Sequence, residues 1–279
     1  MQWLEAVERL RSRREAGVLV TISEVRGHAP RDAGAKMVVA ADDVWGSVGG
    51  GSLEAMSIDR AREMLSSQQT APVALTESLS DKARGQHGVQ CCGGEVSLLL
   101  EPLPVLPAIA IFGIGHVGME LARILARHDL DLHLIDSRPA QLVDQALSPL
   151  DDSHARVHRH HVPVLPELVL AELPHGTHIL VMTHDHAEDA ALCDAALRTS
   201  HLGSIGLIGS RAKWSRFRKK LSDEGHDESA VARITCPIGL AAPAGKDPAT
   251  IAVSIAAALL QRLEQESTMG SSQSSQASL

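Results

Sequence analysis

The stretch AIAIFGIGHVG, residues 108–118, decides the fold of the second half of this chain. Its first five residues form an unbroken apolar run, which is typical of a strand buried on both faces of a parallel sheet. The glycines that follow are Gly113, Gly115 and Gly118, and their spacing is that of a strand-to-helix turn at which a phosphate can bind. A helical pattern and a second strand ending at Asp136 come next. The order strand, glycine motif, helix, strand and acid predicts a Rossmann-like unit.

The ligand of this predicted unit stays open at the level of sequence. The three glycines allow a tight turn and the close approach of a phosphate to the helix N-terminus, and Asp136 stands where an acid would bond a ribose hydroxyl. NAD or another nucleotide is therefore one candidate ligand. The alternative is that the glycines serve only the packing of helix on sheet, because Rossmann domains host many functions.

The rest of the chain predicts an α/β protein in two parts. Downstream of the motif, apolar runs alternate with helical patterns, which indicates a doubly wound parallel sheet. Upstream, a helix, several β-rich runs and a hairpin pattern indicate an α+β arrangement. A proline-rich stretch between them would break sheet pairing, and the end of the chain is polar low-complexity sequence, typical of disorder. The predicted organisation is an N-terminal α+β domain (1–101), a linker (102–107), a Rossmann-like domain (108–266) and a disordered tail (267–279).

Composition and charge exclude several classes of function. The formal net charge is −8 and aromatic residues make up 2% of the chain, so stacking on single-stranded nucleic acid is disfavoured. No apolar run is long enough to span a bilayer, and the N-terminus does not have the pattern of a signal peptide. The four cysteines show no framework spacing. We therefore expect a cytoplasmic protein without nucleic-acid or membrane partners.

The segment HGVQCCGGEV, residues 87–96, carries the least usual chemistry in the chain. Cys91 and Cys92 are adjacent, and neighbouring Cα atoms lie about 3.8 Å apart, too close for ordinary disulfide geometry. Structural zinc sites instead use cysteines two to four residues apart. A thiolate is a soft metal ligand and a nucleophile, and Gly93 and Gly94 would leave room for a bulky cofactor. The segment predicts a functional thiol at Cys92.

Two further loops are candidates for binding an anion. The glycines Gly49, Gly50 and Gly51 precede a helix, and their consecutive N–H groups would form an anion nest, although a plain tight turn is the alternative. In the loop GHAPRDAGAK, Arg31 and Lys36 would contact phosphate or carboxylate, and Arg suits bidentate contact. A solvated loop is the alternative interpretation there.

Histidine and basic clusters complete the set of candidates. HRHH (158–161) falls in a polar stretch that reads as irregular and lacks partner ligands at a known metal spacing. HDH (184–186) lies at the carboxyl end of a predicted parallel strand, where ligand crevices form, but Asp185 would serve equally well as a helix N-cap. The basic pattern of residues 211–221 predicts a helix with a solvated face. The alternative is that this helix contacts an acidic protein partner or a phosphate.

The motifs together resemble those of the XdhC/CoxI family, the xanthine dehydrogenase accessory proteins, and the resemblance runs nearly end to end. It rests on these segments, in family order: GHAPRDAGAKM, GSVGGGSLE, QCCGGEV, IFGIGHVG, VMTHDHAED, GLIGSRAKWSRFRKKL and CPIGLAAPAGKDP. The resemblance implies a cytoplasmic chaperone for the molybdenum cofactor. Such a chaperone binds the molybdopterin form, holds it while a cysteine desulfurase adds the terminal sulfur, and delivers it to the molybdenum-binding subunit of xanthine dehydrogenase in purine catabolism.

The resemblance also implies which residues bind the cofactor and that the protein is a carrier and not an enzyme. The cofactor-binding cysteine of the family immediately precedes a Gly-Gly pair, so it falls on Cys92, which would hold molybdenum through the cofactor. Cys91 is the adjacent second thiol. A homo-oligomer, a dimer, is expected. The alternatives are an NAD-dependent oxidoreductase or a nucleotide-sensing regulatory protein, both using Gly113–Gly118 and Asp136, and neither gives the cysteine segment a role.

Overall fold

A computed structural model describes residues 2–79, 94–241 and 245–276, with the backbone alone described beyond residue 267. The chain divides into two compact units. The first comprises residues 1–105 and 265–279, and the second comprises residues 106–264. In the part of the chain so described, no helix has the length and apolar character needed to cross a membrane.

The first unit is an α+β arrangement built on one antiparallel sheet of five strands. Its elements are α1 (Trp3–Arg13), β1 (Gly17–Arg26), β2 (Lys36–Val39), β3 (Val44–Gly46), α2 (Gly51–Ser66), β4 (Val73–Ser78) and β5 (Glu95–Leu103). The strand order is β3-β2-β1-β5-β4, and every neighbouring pair is antiparallel. The predicted hairpin is confirmed as β2 and β3.

A helix packs on each face of this sheet, because successive side chains of its strands point to opposite faces. In β2, Met37 and Val39 belong to the larger core, which includes Leu53 and Met64 of α2. Val38, between them, belongs to a smaller core with Leu10 of α1. Each helix therefore covers one face of the same sheet.

The second unit is a six-stranded parallel sheet with helices on both faces. Its elements are β6 (Ala108–Phe112), α3 (His116–Leu125), β7 (Asp131–Asp136), α4 (Asp144–Leu147), β8 (Arg156–His161), β9 (His178–Val181), α5 (His186–Arg198), β10 (Ile205–Leu207), α6 (Arg211–Asp223), α7 (Glu228–Val231), β11 (Ile234–Thr235) and the start of α8 (Pro248–Gln276). Short 3₁₀ turns stand between some of them. The residues of α8 from 265 onward are assigned to the first unit.

The strand order of the second unit is that of the doubly wound nucleotide-binding fold. The order is β11-β10-β9-β6-β7-β8, and all neighbouring strands are parallel. Counted along the chain from β6, this is 3-2-1-4-5-6 read from β8, so the winding reverses between β6 and β9. The predicted fold class, an α+β part followed by a Rossmann-like domain, is confirmed.

Two apolar cores cover the faces of the parallel sheet. One core joins β6 and β7 to α3 and to residues 252–259 of α8. The other joins β9 and β10 to α5 and α6. All five residues of β6 are buried, as the unbroken apolar run in the sequence predicts.

The predicted linker starts two residues too early. Strand β5 continues through Pro102 and Leu103, which pair with Val18 and Gly17 of β1. On its other side, β5 is paired with β4 only as far as Leu100. Because β5 has a single neighbour beyond that point, the missing N–H of Pro102 can be tolerated there.

The end of the chain also differs from the prediction. Helix α8 continues to Gln276, across most of the segment 267–279 that the sequence predicts to be disordered. A helix that is already formed extends at little cost per residue, because the unfavourable step is nucleation and not propagation.

The segment HRHH forms part of a strand, although its polar composition predicts an irregular stretch. Residues 158–161 are the last four of β8, which pairs in parallel with β7. Strand β8 is one of the two edge strands of the sheet, and its residues are half-buried or exposed. Polar and charged side chains are common in such edge strands, where they discourage pairing with another chain, so a missing apolar run did not exclude a strand.

Candidate functional site

The carboxyl ends of β6 and β9 meet at the reversal of the winding, and a glycine makes the contact possible. Gly113 follows β6 with φ of 101°. A Cβ at Gly113 would lie 2.4 Å from the carbonyl oxygen of Met182, just beyond β9. Because no side chain fits this conformation or this space, only glycine lets the two strand ends come so close.

The other two glycines of the motif have different surroundings. A Cβ at Gly118 would lie 2.2 Å from the carbonyl oxygen of Gly113, so this glycine brings α3 close to the end of β6. At Gly115, the N-cap of α3, the described residues other than its chain neighbours place no heavy atom within 4 Å of the position that a Cβ would take. The packing account therefore explains Gly113 and Gly118, while Gly115 borders open space at a helix N-terminus, which fits a phosphate.

Asp136 ties the end of β7 to the glycine loop. Its side chain is buried, and its Oδ2 accepts a hydrogen bond of 2.7 Å from the Ile114 N–H. Arg138 donates to the same carboxylate through its backbone N–H, its Nε and its Nη2, at 2.8–2.9 Å. Burial raises the pKa of Asp136, but the hydrogen bonds from Arg138 and Ile114 and the Arg138 charge outweigh it and lower the pKa below its ordinary value. Ribose binding by Asp136 stays a prediction, since a ligand hydroxyl would have to share these donors.

A buried ion pair lies beyond the carboxyl ends of β9 and β10. Asp189 of α5 is fully buried, and its Oδ1 accepts hydrogen bonds from the backbone N–H and the hydroxyl of Thr183. Its Oδ2 accepts from Lys213 Nζ of α6 at 2.5 Å, and Lys213 also donates to the Ile208 carbonyl at 3.0 Å. The pair therefore joins α5 and α6 to the ends of β9 and β10.

The sequence interpretation missed this pair. The basic pattern of residues 211–221 predicts a solvated face, yet Lys213 is only 7% exposed. The available signal was spacing, because Lys213, Phe217 and Leu221 follow at intervals of four and form the buried stripe of α6. A lysine on such a stripe requires a buried carboxylate partner.

The HDH segment caps helix α5, and His184 within it affects the pKa of Glu188 in that helix. Asp185 is the N-cap of α5 and accepts a 2.7 Å hydrogen bond from the Ala187 N–H, which is the alternative that the sequence left open. Burial raises the pKa of Glu188 in the first turn of α5. The charge of His184 lowers that pKa, and the charge of Asp136 raises it. Glu188 is therefore close enough to the end of β7 to interact electrostatically with Asp136.

In the first unit, the triple glycine holds one of the chain's own carboxylates. Gly49, Gly50 and Gly51 all have positive φ. The Gly50 N–H donates to Glu54 Oε2 at 3.2 Å, and the Ser47 hydroxyl donates to the same oxygen. A Cβ at Gly50 would meet no heavy atom of the described residues within 4 Å, apart from its chain neighbours, so this part of the structure leaves space beside the turn. Anion binding by these glycines stays a prediction, and Glu54 shows that a carboxylate can lie there.

The structure brings the triple glycine, the loop after β1 and Gly94 together. A Cβ at Gly49 would lie 2.9 Å from Pro30 Cβ. A Cβ at Gly94 would lie 2.2 Å from the His28 carbonyl oxygen. The Leu79 N–H donates to the Gly94 carbonyl at 2.7 Å, so the two ends of the segment between them are held side by side.

That segment includes Cys91, Cys92 and Gly93, which lie outside the described residues. The two cations that the sequence predicts to bind an anion, Arg31 and Lys36, have different surroundings. Arg31 is exposed and forms no ion pair within the described ranges. Lys36 donates to Thr21 Oγ1 at 2.9 Å, and its Nζ lies 5.4 Å from the centre of the Trp3 ring, so the structure places it against α1.

The two described cysteines do not offer a thiolate. Burial raises the pKa of Cys193 to about 12 and that of Cys236 to about 11. Both thiols are therefore protonated near neutral pH. Among the described residues, no group of three or more His, Cys, Asp or Glu side chains is arranged to hold a metal ion.

Two family models match this chain in succession. The model of the XdhC Rossmann domain matches residues 109–259, more than half of the chain, and the model of the XdhC and CoxI family matches residues 10–77. The chain belongs to the XdhC and CoxI family. Each matched segment of this XdhC-family chain contains one glycine cluster, Gly49–Gly51 in the first and Gly113–Gly118 in the second, whereas Cys92 lies between the two segments.

Curated relatives of the XdhC-family chain come from Escherichia coli K12. It is 27% identical over 292 residues to the molybdenum cofactor insertion chaperone PaoD, covering 94% of this chain and 88% of PaoD. It is 25% identical over 243 residues to the uncharacterized protein YqeB, covering 87% of this chain but 43% of YqeB, so the chain spans less than half of that relative's length. A crystal structure described as a xanthine dehydrogenase from Bacillus halodurans aligns with a TM-score of 0.46 and 20% identity, over 95% of this chain and 96% of that one.

Proposed function

We propose that this protein is a chaperone of the molybdenum cofactor, which it binds through Cys92 and passes to a molybdoenzyme. Membership of the XdhC and CoxI family supports this role, and so does the similarity to PaoD, which is named as a molybdenum cofactor insertion chaperone. The structural observation that carries the proposal is the cluster of Gly94, the loop after β1 and the triple glycine.

Chain connectivity links the thiol to this cluster. Cys92 precedes Gly94 by two residues, and consecutive Cα atoms are about 3.8 Å apart, so their Cα atoms are at most about 7.6 Å apart. Gly94 is packed against the His28 carbonyl, and Pro30 of the same loop is packed against Gly49. We therefore infer that the glycines and the loop of Arg31 belong to the same binding region as Cys92.

The residue types of this cluster fit the chemical groups of molybdopterin. A soft thiolate suits molybdenum, and the cofactor supplies that metal for the chemistry of the enzyme that receives it. The N–H groups at the N-terminus of α2 and the guanidinium of Arg31 suit the phosphate. The open space at Gly50 leaves room for a ligand close to the backbone. The chain itself binds, orients and shields the cofactor.

The finer steps belong to the same proposal. The protein holds the cofactor during sulfuration by a cysteine desulfurase and then inserts it into the molybdenum-binding subunit of xanthine dehydrogenase, in purine catabolism. It acts in the cytoplasm as a dimer and catalyses no reaction of a small molecule. The family assignment supports the accessory role.

A second candidate function is nucleotide binding by the Rossmann-like unit. The open space at Gly115, at the N-terminus of α3, favours it. The nucleotide, NAD among the candidates, would then act as a regulator of the chaperone or as the substrate of an oxidoreductase. Binding of NAD or ATP without turnover would separate the regulator from the enzyme.

The cofactor content of the purified protein tests the proposed function. The protein is produced anaerobically in a host that makes the cofactor, and molybdenum and pterin are measured per chain. We expect near-stoichiometric cofactor in the wild type, a strong loss in Cys92→Ala, a smaller loss in Cys91→Ala, and wild-type content in the control Cys236→Ala. Equal content in Cys92→Ala and wild type would refute the thiol-dependent carrier.

A further inference from the structure

A cavity of about 340 Å³ lies in the second unit, beyond the carboxyl ends of β10 and β11. The side chains of Ile208, Ile238 and Ile251 form apolar walls, and the ring of Pro237 adds to them. Its volume lies within the range of small-molecule sites, about 300–1,000 Å³. Because all six strands are parallel, the cavity opens at the same edge of the sheet as the glycine motif, where ligands bind in folds of this type.

The walls of the cavity carry no ionisable side chain among its described residues. Lys213 lies close to the wall of the cavity, because its Cδ would lie 2.8 Å from a Cβ on the lining residue Gly209. Its Nζ is already bonded to Asp189 and to the Ile208 carbonyl. A phosphate or carboxylate would therefore meet no charged side chain among the described lining residues, and its desolvation would cost free energy. We therefore expect the bound group to be neutral.

One hydroxyl gives the cavity a directed polar contact. Ser254 Oγ donates to the Leu240 carbonyl at 2.9 Å. A hydroxyl has one donor and two acceptor lone pairs, so Ser254 can still accept a hydrogen bond from an N–H group of a ligand. A sugar would place most of its hydroxyls against apolar walls, whereas an acyl chain has no N–H to offer.

The mouth of the cavity also presents apolar surface. Leu240 lines the cavity and is 43% exposed. Gly209 and Gly245 line it without side chains. A flat ring has two apolar faces for the walls and a polar edge for Ser254, so its shape and polarity match the lining.

We propose that this cavity binds a neutral, flat heteroaromatic ring that carries an N–H donor on its edge. A pterin and a nucleobase share this chemistry. The proposal goes beyond the chaperone function and stands apart from it, because it uses no residue of the cysteine segment. It assigns the second unit a ring-binding role besides that of the glycine motif.

The test uses the full-length protein and two probes, free pterin and adenosine, in equilibrium dialysis up to millimolar concentration. Ile251→Phe fills the cavity and is expected to weaken binding of the ring about tenfold, the effect of losing about 1.4 kcal/mol. The matched control is Val253→Phe, because Val253 lies on the same helix and is 50% exposed. We expect it to bind like the wild type.

A second variant protects the test from a folding defect in Ile251→Phe. Leu240→Ala removes an apolar contact at the exposed mouth and is expected to weaken binding about threefold without lowering the midpoint of thermal unfolding. Binding of pterin alone identifies a pterin site, and binding of adenosine alone identifies a nucleobase site. The proposal is overturned if neither probe binds the wild type, or if both cavity variants bind like the control.

The result is separable from the proposed function. Cys92→Ala is expected to bind the free ring as well as the wild type does, even though it loses the molybdenum cofactor. A protein that loses cofactor content in Cys92→Ala but never binds a free ring would keep the chaperone function and reject the cavity proposal.

Discussion

Asp136 shows how a single carboxylate can hold a binding loop in shape. Its four hydrogen bonds come from the glycine loop and from Arg138, two residues further on. The sequence placed this acid correctly at the end of a strand. It could not show that Arg138 would take most of its hydrogen-bonding capacity, because that depends on how the chain turns after Asp136.

Replacing Asp136 by Asn is expected to lower the free energy of unfolding by about 2 kcal/mol at pH 7, because hydrogen bonds to a charged group are lost. The folded-state pKa of Asp136 lies below its ordinary value of 3.8. Its contribution is therefore fully present above about pH 4 and is lost as the pH falls through the lower, folded-state pKa. Urea unfolding from pH 7 to pH 2.5 should show the difference between wild type and variant shrinking below pH 4. A constant difference would contradict the role of the charge.

Lys213→Met is expected to destabilise the chain by about 3–5 kcal/mol, because it leaves the buried carboxylate of Asp189 without its cation. Lys219→Met is the matched control, since Lys219 lies on the exposed side of the same helix, and surface changes usually stay within about 0.5 kcal/mol. Urea unfolding of both variants measures the difference. Similar midpoints for the two would show that the Lys213–Asp189 pair does not stabilise the second unit.

Two glycines of the motif, Gly113 and Gly115, allow the effect of packing to be measured separately from the effect on ligand binding. Gly113→Ala is expected to cost at least about 2 kcal/mol, because of its positive φ and its contact with Met182. Gly115→Ala is expected to unfold like the wild type, within about 0.5 kcal/mol, because its φ of −81° suits alanine and its surroundings are open. If a phosphate binds there, Gly115→Ala should still weaken the binding of NAD or ATP. Wild-type binding of both nucleotides by this variant would speak against a phosphate at Gly115.

At the scale of elements, local patterns predicted most strands and helices. The apolar run of β6 and the short spacer between β2 and β3 are local signals, and both elements are confirmed. Strand β8 was missed because an edge strand has too little buried surface to impose an apolar pattern on residues 156–161. The end of β5 was missed because tolerance of Pro102 depends on where β4 stops pairing.

The two residues that flank the cysteine segment, Leu79 and Gly94, are hydrogen-bonded to each other, which no local sequence pattern indicates. The Leu79 N–H bonds the Gly94 carbonyl, and Gly94 lies against the loop after β1. Gly94→Ala is therefore expected to displace that loop, with a loss of about 2 kcal/mol of stability, and to lower cofactor content per folded chain. Unfolding and molybdenum content are measured on the same preparation. Wild-type values for both would show that this close approach is not needed.

At the scale of the whole molecule, the chain consists of two units with separate cores and different candidate chemistry. The first unit holds the ends of the cysteine segment beside the triple glycine. The second unit has the nucleotide-binding topology and a neutral cavity. Sequence predicted the two folds because each follows from local periodicity and the glycine spacing. The Lys213–Asp189 pair and the cavity depend on contacts between distant segments, which one sequence does not show.

The central claim is that the Cys92 thiolate holds the molybdenum of the cofactor, and X-ray absorption at the molybdenum edge tests it most directly. Wild type and Cys92→Ser are loaded anaerobically with the same cofactor and compared. We predict that molybdenum in Cys92→Ser loses a sulfur ligand and gains an oxygen or nitrogen ligand in its place, whereas the control Cys236→Ser keeps the wild-type spectrum. Identical sulfur coordination in wild type and Cys92→Ser, with both fully loaded, would contradict the account.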